Sequence, residues 1–225
     1  MRNAVLGAVL VAGLLGVNVA ALGDDLYPPD WRGLPNSTLQ MWEFSAGDNP
    51  VQPVVPPDAY DNDYGVPEAT VYGEFEYPLR DTWWIDDDIE GHFGVWNIGG
   101  EIGIWIPNDP VLRPEKWIRI QITYDGGHAV DPSIPFDPWI EVQASDGATV
   151  RDFTLVMETE LDPVFTHAVY DLVLMPNPSE ETIWITPRYC QLYVDEIVID
   201  TICIPEPATL TLLAAGCLAV IRKRR

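Results

Sequence analysis

Short runs of alternating hydrophobic and polar positions recur along the chain, separated by clusters of glycine, proline and aspartate. In residues 116–124, isoleucines at every second position alternate with aromatic, polar and charged side chains. A side-chain period of two is typical of a β-strand that buries one face. The pattern predicts a half-buried strand with Ile118, Ile120 and Ile122 facing the core and Trp117 on the outer face.

Similar runs predict strands at residues 38–44, 69–77, 93–98, 101–106, 139–144, 148–160, 164–174, 182–186 and 192–201. Turn sequences such as Asp125-Gly126-Gly127 and Asp146-Gly147 separate them. We identify no amphipathic helical period between residues 24 and 201. The sequence predicts one all-β domain over residues 24–201, an antiparallel β-sandwich of the jelly-roll type.

The beginning of this domain is predicted to be a loop-rich arm. Residues 24–69 contain one strand, and residues 45–69 are rich in proline, aspartate and asparagine with little periodicity. Loops of this length are either functional or wrapped over the surface. The second reading is favoured.

Residues 1–23 are predicted to be a secretory signal peptide with a helical apolar segment. Arg2 precedes the apolar residues 4–19, and small residues precede Asp24 and Asp25. This order of basic, apolar and small residues is that of a signal peptide, and a retained membrane helix is the alternative. The protein is therefore predicted to be exported.

Residues 202–225 have a different composition from the domain. After Pro205-Glu206-Pro207, the uncharged run 208–221 is followed by Arg222-Lys223-Arg224-Arg225. As a helix, that run would span roughly 20 Å, less than the ~30 Å hydrocarbon core, which suits a transient membrane anchor. The basic cluster would remain cytoplasmic. An ordinary short anchor or a buried core helix is the alternative.

This tail resembles the PEP-CTERM sorting signal of Gram-negative bacteria that make exopolysaccharide. The resemblance implies recognition by an exosortase, a membrane-embedded cysteine transpeptidase, with processing near residues 205–207. It implies anchoring in the inner membrane before processing, and then a place at the cell surface or in the extracellular polysaccharide matrix. It implies nothing about the activity of the domain.

Two stretches of the domain resemble known families as well. Trp31-Arg32-Gly33, followed by Ser-Thr, Gln, Trp and Phe up to position 44, resembles an N-terminal segment of PEP-CTERM cargo proteins. The run Tyr193-Val194-Asp195-Glu196-Ile197 resembles the closing strand of carbohydrate-binding jelly rolls. The second resemblance implies a sugar-binding sandwich.

Charge excludes one class of partner. The chain has 12 Lys and Arg against 35 Asp and Glu, and five of the basic residues lie in the two terminal segments. A surface this acidic repels nucleic acid. The three cysteines do not predict a disulfide framework, because one extended strand would hold Cys190 and Cys203 apart and Cys217 lies in the tail.

The sequence favours a non-enzymatic protein. His92, His128 and His167 lack metal-ligand spacing, and the chain shows neither a nucleophile elbow nor a phosphate loop. Glu158 and Glu160 share a strand face and could serve a glycan hydrolase with carboxylate catalysis, the alternative function. They are more simply solvated residues of a strand face.

No cofactor is predicted, although calcium is compatible with the acidic loops. Asp86, Asp87, Asp88 and Glu90 concentrate the oxygen ligands that calcium requires, as do the aspartates of residues 58–63. Neither stretch has the spacing of a twelve-residue calcium loop. A solvated acidic loop is the alternative to an occupied site.

The chain has nine tryptophans, which suit the apolar faces of sugar rings. Adjacent strand residues face opposite sides, so Trp83 and Trp84 should place one ring in the core and one outside. Trp96 and Trp117 are predicted to add to an outer face. Three functions follow: a sugar-binding surface or matrix protein, a glycan hydrolase, or a purely structural surface protein.

Overall fold

The computed structural model describes residues 25–44, 54–55, 57–73, 82–86, 89, 91–125, 138–188 and 191–205. In these ranges the chain is all-β, and both of its sheets are antiparallel. Across the same ranges no helix could cross a membrane. The predicted signal peptide and most of the predicted sorting tail, from Glu206 onward, lie outside the described residues.

Thirteen strands are described, numbered here in chain order. They are β1 (Ser37–Trp42), β2 (Val54–Val55), β3 (Ala59–Asp61), β4 (Glu68–Tyr72), β5 (Trp83–Ile85), β6 (Val95–Ile98), β7 (Glu101–Pro107), β8 (Glu115–Asp125), β9 (Pro138–Ala144), β10 (Thr149–Glu160), β11 (Thr166–Met175), β12 (Glu180–Pro187) and β13 (Leu192–Ile204).

The strands form two sheets around one core. Sheet A has the order β10-β11-β8-β13-β1-β3, and sheet B has the order β2-β4-β7-β12-β9. Along one edge, strand β13 pairs with β8 over nearly its whole length. Along the other edge, its first part pairs with β6 and its second part pairs with β1. Strand β5 extends sheet A beyond β6. The predicted β-sandwich architecture is thereby supported.

Isoleucine rows on facing strands fill the core. In β8, Ile118, Ile120 and Ile122 are buried, as the alternating pattern predicted. They belong to the same hydrophobic cluster as Ile104 of β7 and Ile183 of β12 in the other sheet. Each fully buried aliphatic side chain of this size contributes roughly 1.5–3 kcal/mol, so these rows provide much of the stabilisation.

The structure corrects several predicted boundaries. Residues 45–69 were predicted to be a loop, yet Val54–Val55 pairs with β4 and Ala59–Asp61 pairs with β1. Such short edge strands depend on a partner strand and carry little periodic signal of their own. Trp83–Ile85 is a further strand that was not assigned in the sequence, and β13 continues to Ile204, beyond the predicted residue 201.

Candidate functional site

The N-terminal arm covers the outer face of sheet A. The Arg32 guanidinium bridges Asp25 of the arm and Asp200 of β13, with two 2.6 Å bonds to Asp200. The backbone N–H of Tyr27 donates to Gln121 Oε1 at 2.8 Å. Gln121 points away from the core and yet is fully buried, because the arm lies over it.

This covering creates a cavity of about 220 Å³ at the border of the arm and the sheet. Trp31 of the arm and Trp117 of β8 are its two aromatic residues. The other lining residues lie on β8, β10 and β11: Ile118, Asp152, Thr154, Asp171, Leu172 and Val173. We call this cavity the Trp31–Trp117 pocket.

Strand register explains why these side chains meet. Trp117 lies opposite Val173, which lies opposite Asp152 on the next strand. Asp171, two residues before Val173, lies opposite Thr154. Residues directly opposite in neighbouring strands share a face, so two adjacent rows of outward side chains form the floor.

Hydrogen bonds fix the polar part of the pocket. Arg119 binds Asp171 through Nε and Nη2, both at 2.7 Å, and its Nη1 donates to the Tyr27 carbonyl at 3.2 Å. The bonds to Asp171 raise the pKa of Arg119. Asp171 is thus held as a bidentate acceptor, while Asp152, at 3.2 Å from Arg151, is largely exposed.

The pocket combines an aromatic side chain with hydrogen-bonding oxygen atoms. The Trp117 ring is 40% exposed and presents an apolar face. Asp152, Asp171 and Thr154 provide oxygen acceptors for hydroxyl groups, and Thr154 also provides a donor. The volume is below the ~300–1,000 Å³ of clefts that hold drug-sized ligands, so only a smaller group could be enclosed here.

The anchor of the arm contains a titratable group of its own. Burial raises the pKa of Asp200 to about 6, although its bonds to Arg32 act in the opposite direction. The carboxylate is therefore ionised and paired with Arg32 at neutral pH.

This shift predicts a pH-dependent stability. The pKa of Asp200 in the folded protein lies above its ordinary value of 3.8, which applies to the unfolded chain. Between these two pKa values, Asp200 is therefore protonated more often in the folded than in the unfolded protein. Stability from Asp200 should then fall by about 2–3 kcal/mol as pH rises from about 4 to about 6. Chemical denaturation of the wild type and of Asp200→Asn across this range measures the difference. A pH-independent difference would contradict the assignment.

The structure separates the four predicted tryptophans. Trp83 is 40% exposed, and Trp84 packs against the core, which confirms the prediction of opposite faces. The prediction that Trp96 adds to an outer face is wrong: it lies opposite Val194 on the core side of β13 and is buried. Of the four, Trp117 alone lines the pocket; Trp96 is buried, and Trp84 is half-buried with its indole N–H donated to the Phe44 carbonyl at 3.0 Å.

The predicted calcium ligands are only partly described. Asp86 is exposed, whereas Asp87, Asp88 and Glu90 lie outside the described residues. Within the described ranges, no three His, Cys, Asp or Glu side chains come together as a metal-binding group. Of the predicted sorting residues, Pro205 is described, directly after β13.

A second polar cluster surrounds His92. Its Nδ1 lies 2.6 Å from Asp195 Oδ2 and its Nε2 lies 3.0 Å from Asp162 Oδ2. The ring stacks on the buried Phe165 with centroids 3.9 Å apart. With a carboxylate at each ring nitrogen, the imidazole connects the loops of His92 and Asp162 to strand β13, which indicates a structural role.

Sequence reasoning missed most of the pocket. It identified Trp117, but not Trp31, Asp152, Thr154 or Asp171. The alternation in residues 164–174 would have placed Asp171 and Val173 on the same face, which is a usable signal. The arm contacts the outer face of sheet A through residues that are more than 90 positions apart in the sequence. Such a contact cannot be predicted from the local sequence pattern.

Comparisons with known proteins add no relative to this picture. No family model, curated protein or solved structure matches the chain. The geometry of the Trp31–Trp117 pocket and the sequence of the chain are therefore the basis for a function.

Proposed function

We propose that this chain is an exported, non-enzymatic protein of the cell surface or extracellular matrix that binds carbohydrate in the Trp31–Trp117 pocket. The observation that carries the proposal is the convergence of two tryptophans, two aspartates and a threonine around one sugar-sized cavity. Aromatic faces with a few convergent polar groups are typical of small-molecule sites.

The route to the surface is proposed from the sequence. Residues 1–23 act as a signal peptide, and Pro205-Glu206-Pro207 with the following apolar and basic residues is recognised by an exosortase. The tail holds the protein in the inner membrane until processing. We also propose the jelly-roll type for the sandwich, on the resemblance of residues 193–197 to the closing strand of such domains.

Binding is favoured over hydrolysis by the state of the pocket carboxylates. A glycosidase needs one carboxylic acid that donates a proton and a second carboxylate across the bond. Asp171 is held in two hydrogen bonds by Arg119, which makes it a fixed acceptor. Glu158 and Glu160 are exposed, and Glu158 accepts a bond from the Tyr124 hydroxyl.

Charge indicates which sugars fit. The pocket carries Asp152 and Asp171, and the whole chain has a formal net charge of −23. Acidic polysaccharides would be repelled unless calcium bridges the two partners. Neutral sugar units are therefore the proposed ligands.

Replacing Trp117 with alanine is expected to weaken glycan binding about 10–100-fold, since an aromatic residue at the centre of a site contributes much of its affinity. The measurement is retention of the full chain on an array of exopolysaccharides, with calcium present and then chelated, while the glycans are monitored for cleavage. Unchanged binding by Trp117→Ala would contradict the assignment of the site.

Trp139→Ala is the matched control. Trp139 is 54% exposed on sheet B, where Arg188 lies 5.7 Å from its ring centre. It should bind glycans like the wild type. Cleavage of a retained glycan would support the hydrolase instead, and a lack of binding to every glycan would support a purely structural surface protein.

A further inference from the structure

Four aliphatic side chains are exposed at one end of the sandwich. The exposed fractions are 52% for Leu34, 49% for Val66, 55% for Val111 and 73% for Leu112. They come from three separate loops, and we call them the apolar rim. Aliphatic residues gathered from several loops at one end indicate a contact surface.

The rim lies at the end of the sandwich where the chain leaves the domain. Strand β13 ends at Ile204, which is paired with Glu115 at the start of β8. The loop that carries Leu112 leads directly into Glu115. The Asn177 side chain donates to the Val111 carbonyl at 3.3 Å and lies 3.9 Å from Cys203 Sγ.

The other two rim residues are held at the same end. The Cys203 N–H donates to the Asn36 carbonyl at 3.1 Å, which fixes the turn of Leu34 beside the end of β13. The loop of Val66 is fixed by Asn62, whose side chain donates to the Pro107 carbonyl at 3.1 Å. Pro107 ends β7 directly before the loop of Val111 and Leu112.

The sequence after Ile204 leaves little distance between this end and any bilayer. Three residues separate Ile204 from the apolar run 208–221, a reach of at most about 14 Å. As a helix, the apolar run would be about 9 Å shorter than the hydrocarbon core of a bilayer. Burying it fully in lipid therefore draws the domain against the membrane surface.

We infer that the apolar rim is a membrane-contact surface, which inserts among lipid headgroups beside the point where residues 208–221 enter the bilayer. The inference rests on the proposed membrane role of the tail and adds an orientation to it. The domain would stand on its rim, and the outer face of sheet A with its pocket would face sideways.

Charges near the rim indicate a neutral lipid surface. Asp109 is paired with Arg113 at 3.0 Å, whereas Asp63 is exposed near Val66. Anionic headgroups would repel such a surface, so the contact depends on aliphatic burial. The matching bilayer is one of phosphatidylcholine.

The test attaches an environment-sensitive fluorophore to the full-length protein at one position at a time. The labelled protein is bound to phosphatidylcholine vesicles whose lipids carry a quencher on the acyl chain. Leu112→Cys reports on the rim, and native Cys217 reports on the tail. Phe93→Cys is the matched control, because Phe93 is 61% exposed and lies far from the rim. Its neighbour His92 bonds to Asp195, which lies about 30 Å along β13 from Ile204. Cys190 is replaced by serine in all three proteins, and Cys217 is also replaced by serine in the Leu112→Cys and Phe93→Cys proteins. Cys203 is kept, because it is buried.

We expect loss of most of the fluorescence at positions 112 and 217 and little loss at position 93. Quenching at 217 without quenching at 112 would overturn the rim and leave membrane anchoring by the tail intact. Unquenched fluorophore at 217 would overturn both. A fluorophore at 112 that is shielded from water without vesicles would indicate a second copy on the rim and would also overturn the inference.

Discussion

Replacing Glu181 with alanine is expected to destabilise the protein by about 3–5 kcal/mol, because it leaves the Lys116 ammonium buried without its counter-charge. Lys116 Nζ lies 2.7 Å and 3.0 Å from the two Glu181 oxygens, and both side chains are fully buried between the sheets. Asn108 bonds to both partners. The free energy of unfolding of the full chain, from urea titration, measures the effect.

Two controls separate the buried charge from the loss of a side chain. Glu180→Ala removes an exposed carboxylate next to Glu181, together with the 2.9 Å bond that it accepts from the Trp105 indole, and should change stability by about 1 kcal/mol or less. The pair Lys116→Met with Glu181→Leu removes both charges and should recover part of the loss, because the buried Asn108 then keeps its bond to the Pro178 carbonyl but loses both charged partners. A loss below about 1 kcal/mol for Glu181→Ala would show that the ion pair is not buried as described.

Replacing Arg32 with alanine is expected to remove glycan binding and to cost about 3 kcal/mol of stability. Burial opposes the charge of Arg32, but its bonds to Asp25 and Asp200 outweigh burial and raise its pKa. Without the guanidinium, the buried Asp200 loses its partner, and the arm is held only at Asp25 and Tyr27, by Gln121 and Arg119. Trp31, the neighbour of Arg32 in the chain, would then leave the pocket.

Binding and stability are measured together for this variant. Arg188→Ala changes the net charge equally and should retain both properties, since Arg188 is exposed and directly follows β12 of sheet B, whereas the arm is bound to sheet A. Arg32→Lys should restore little, because an ammonium cannot make the two-pronged bonds to Asp200. Full glycan binding by folded Arg32→Ala would contradict a role for the arm in the pocket.

Local pattern was sufficient to predict most of the sheet framework. The isoleucine alternation of β8 followed directly from period two, and the start of β13 at Leu192 was predicted as well, although its end was placed three residues too early. The short strands β2, β3 and β5 could not be predicted with the same means, because they exist only through pairing with neighbours distant in the sequence.

Burial of polar residues was the main feature that the sequence could not supply. Lys116 is the first residue of a predicted strand and gives no local signal of burial, because its partner Glu181 follows 65 residues later. The alternation that puts Trp117 on the outer face puts Gln121 there as well, but only the arm explains its burial. Trp96 was assigned to the wrong face for the same reason: its core contacts lie on strands far away in the chain.

Indole N–H resonances of the nine tryptophans provide the most direct test of the proposed sugar site. The full chain would be titrated with a neutral glycan retained on the array, with the resonances of Trp31 and Trp117 assigned through Trp31→Phe and Trp117→Phe. Sugar binding in the pocket predicts saturable shifts of these two resonances, while those of Trp83 and Trp139 remain unchanged. Shifts at Trp83 or Trp139 without shifts at Trp31 and Trp117 would contradict the Trp31–Trp117 pocket as the site of binding.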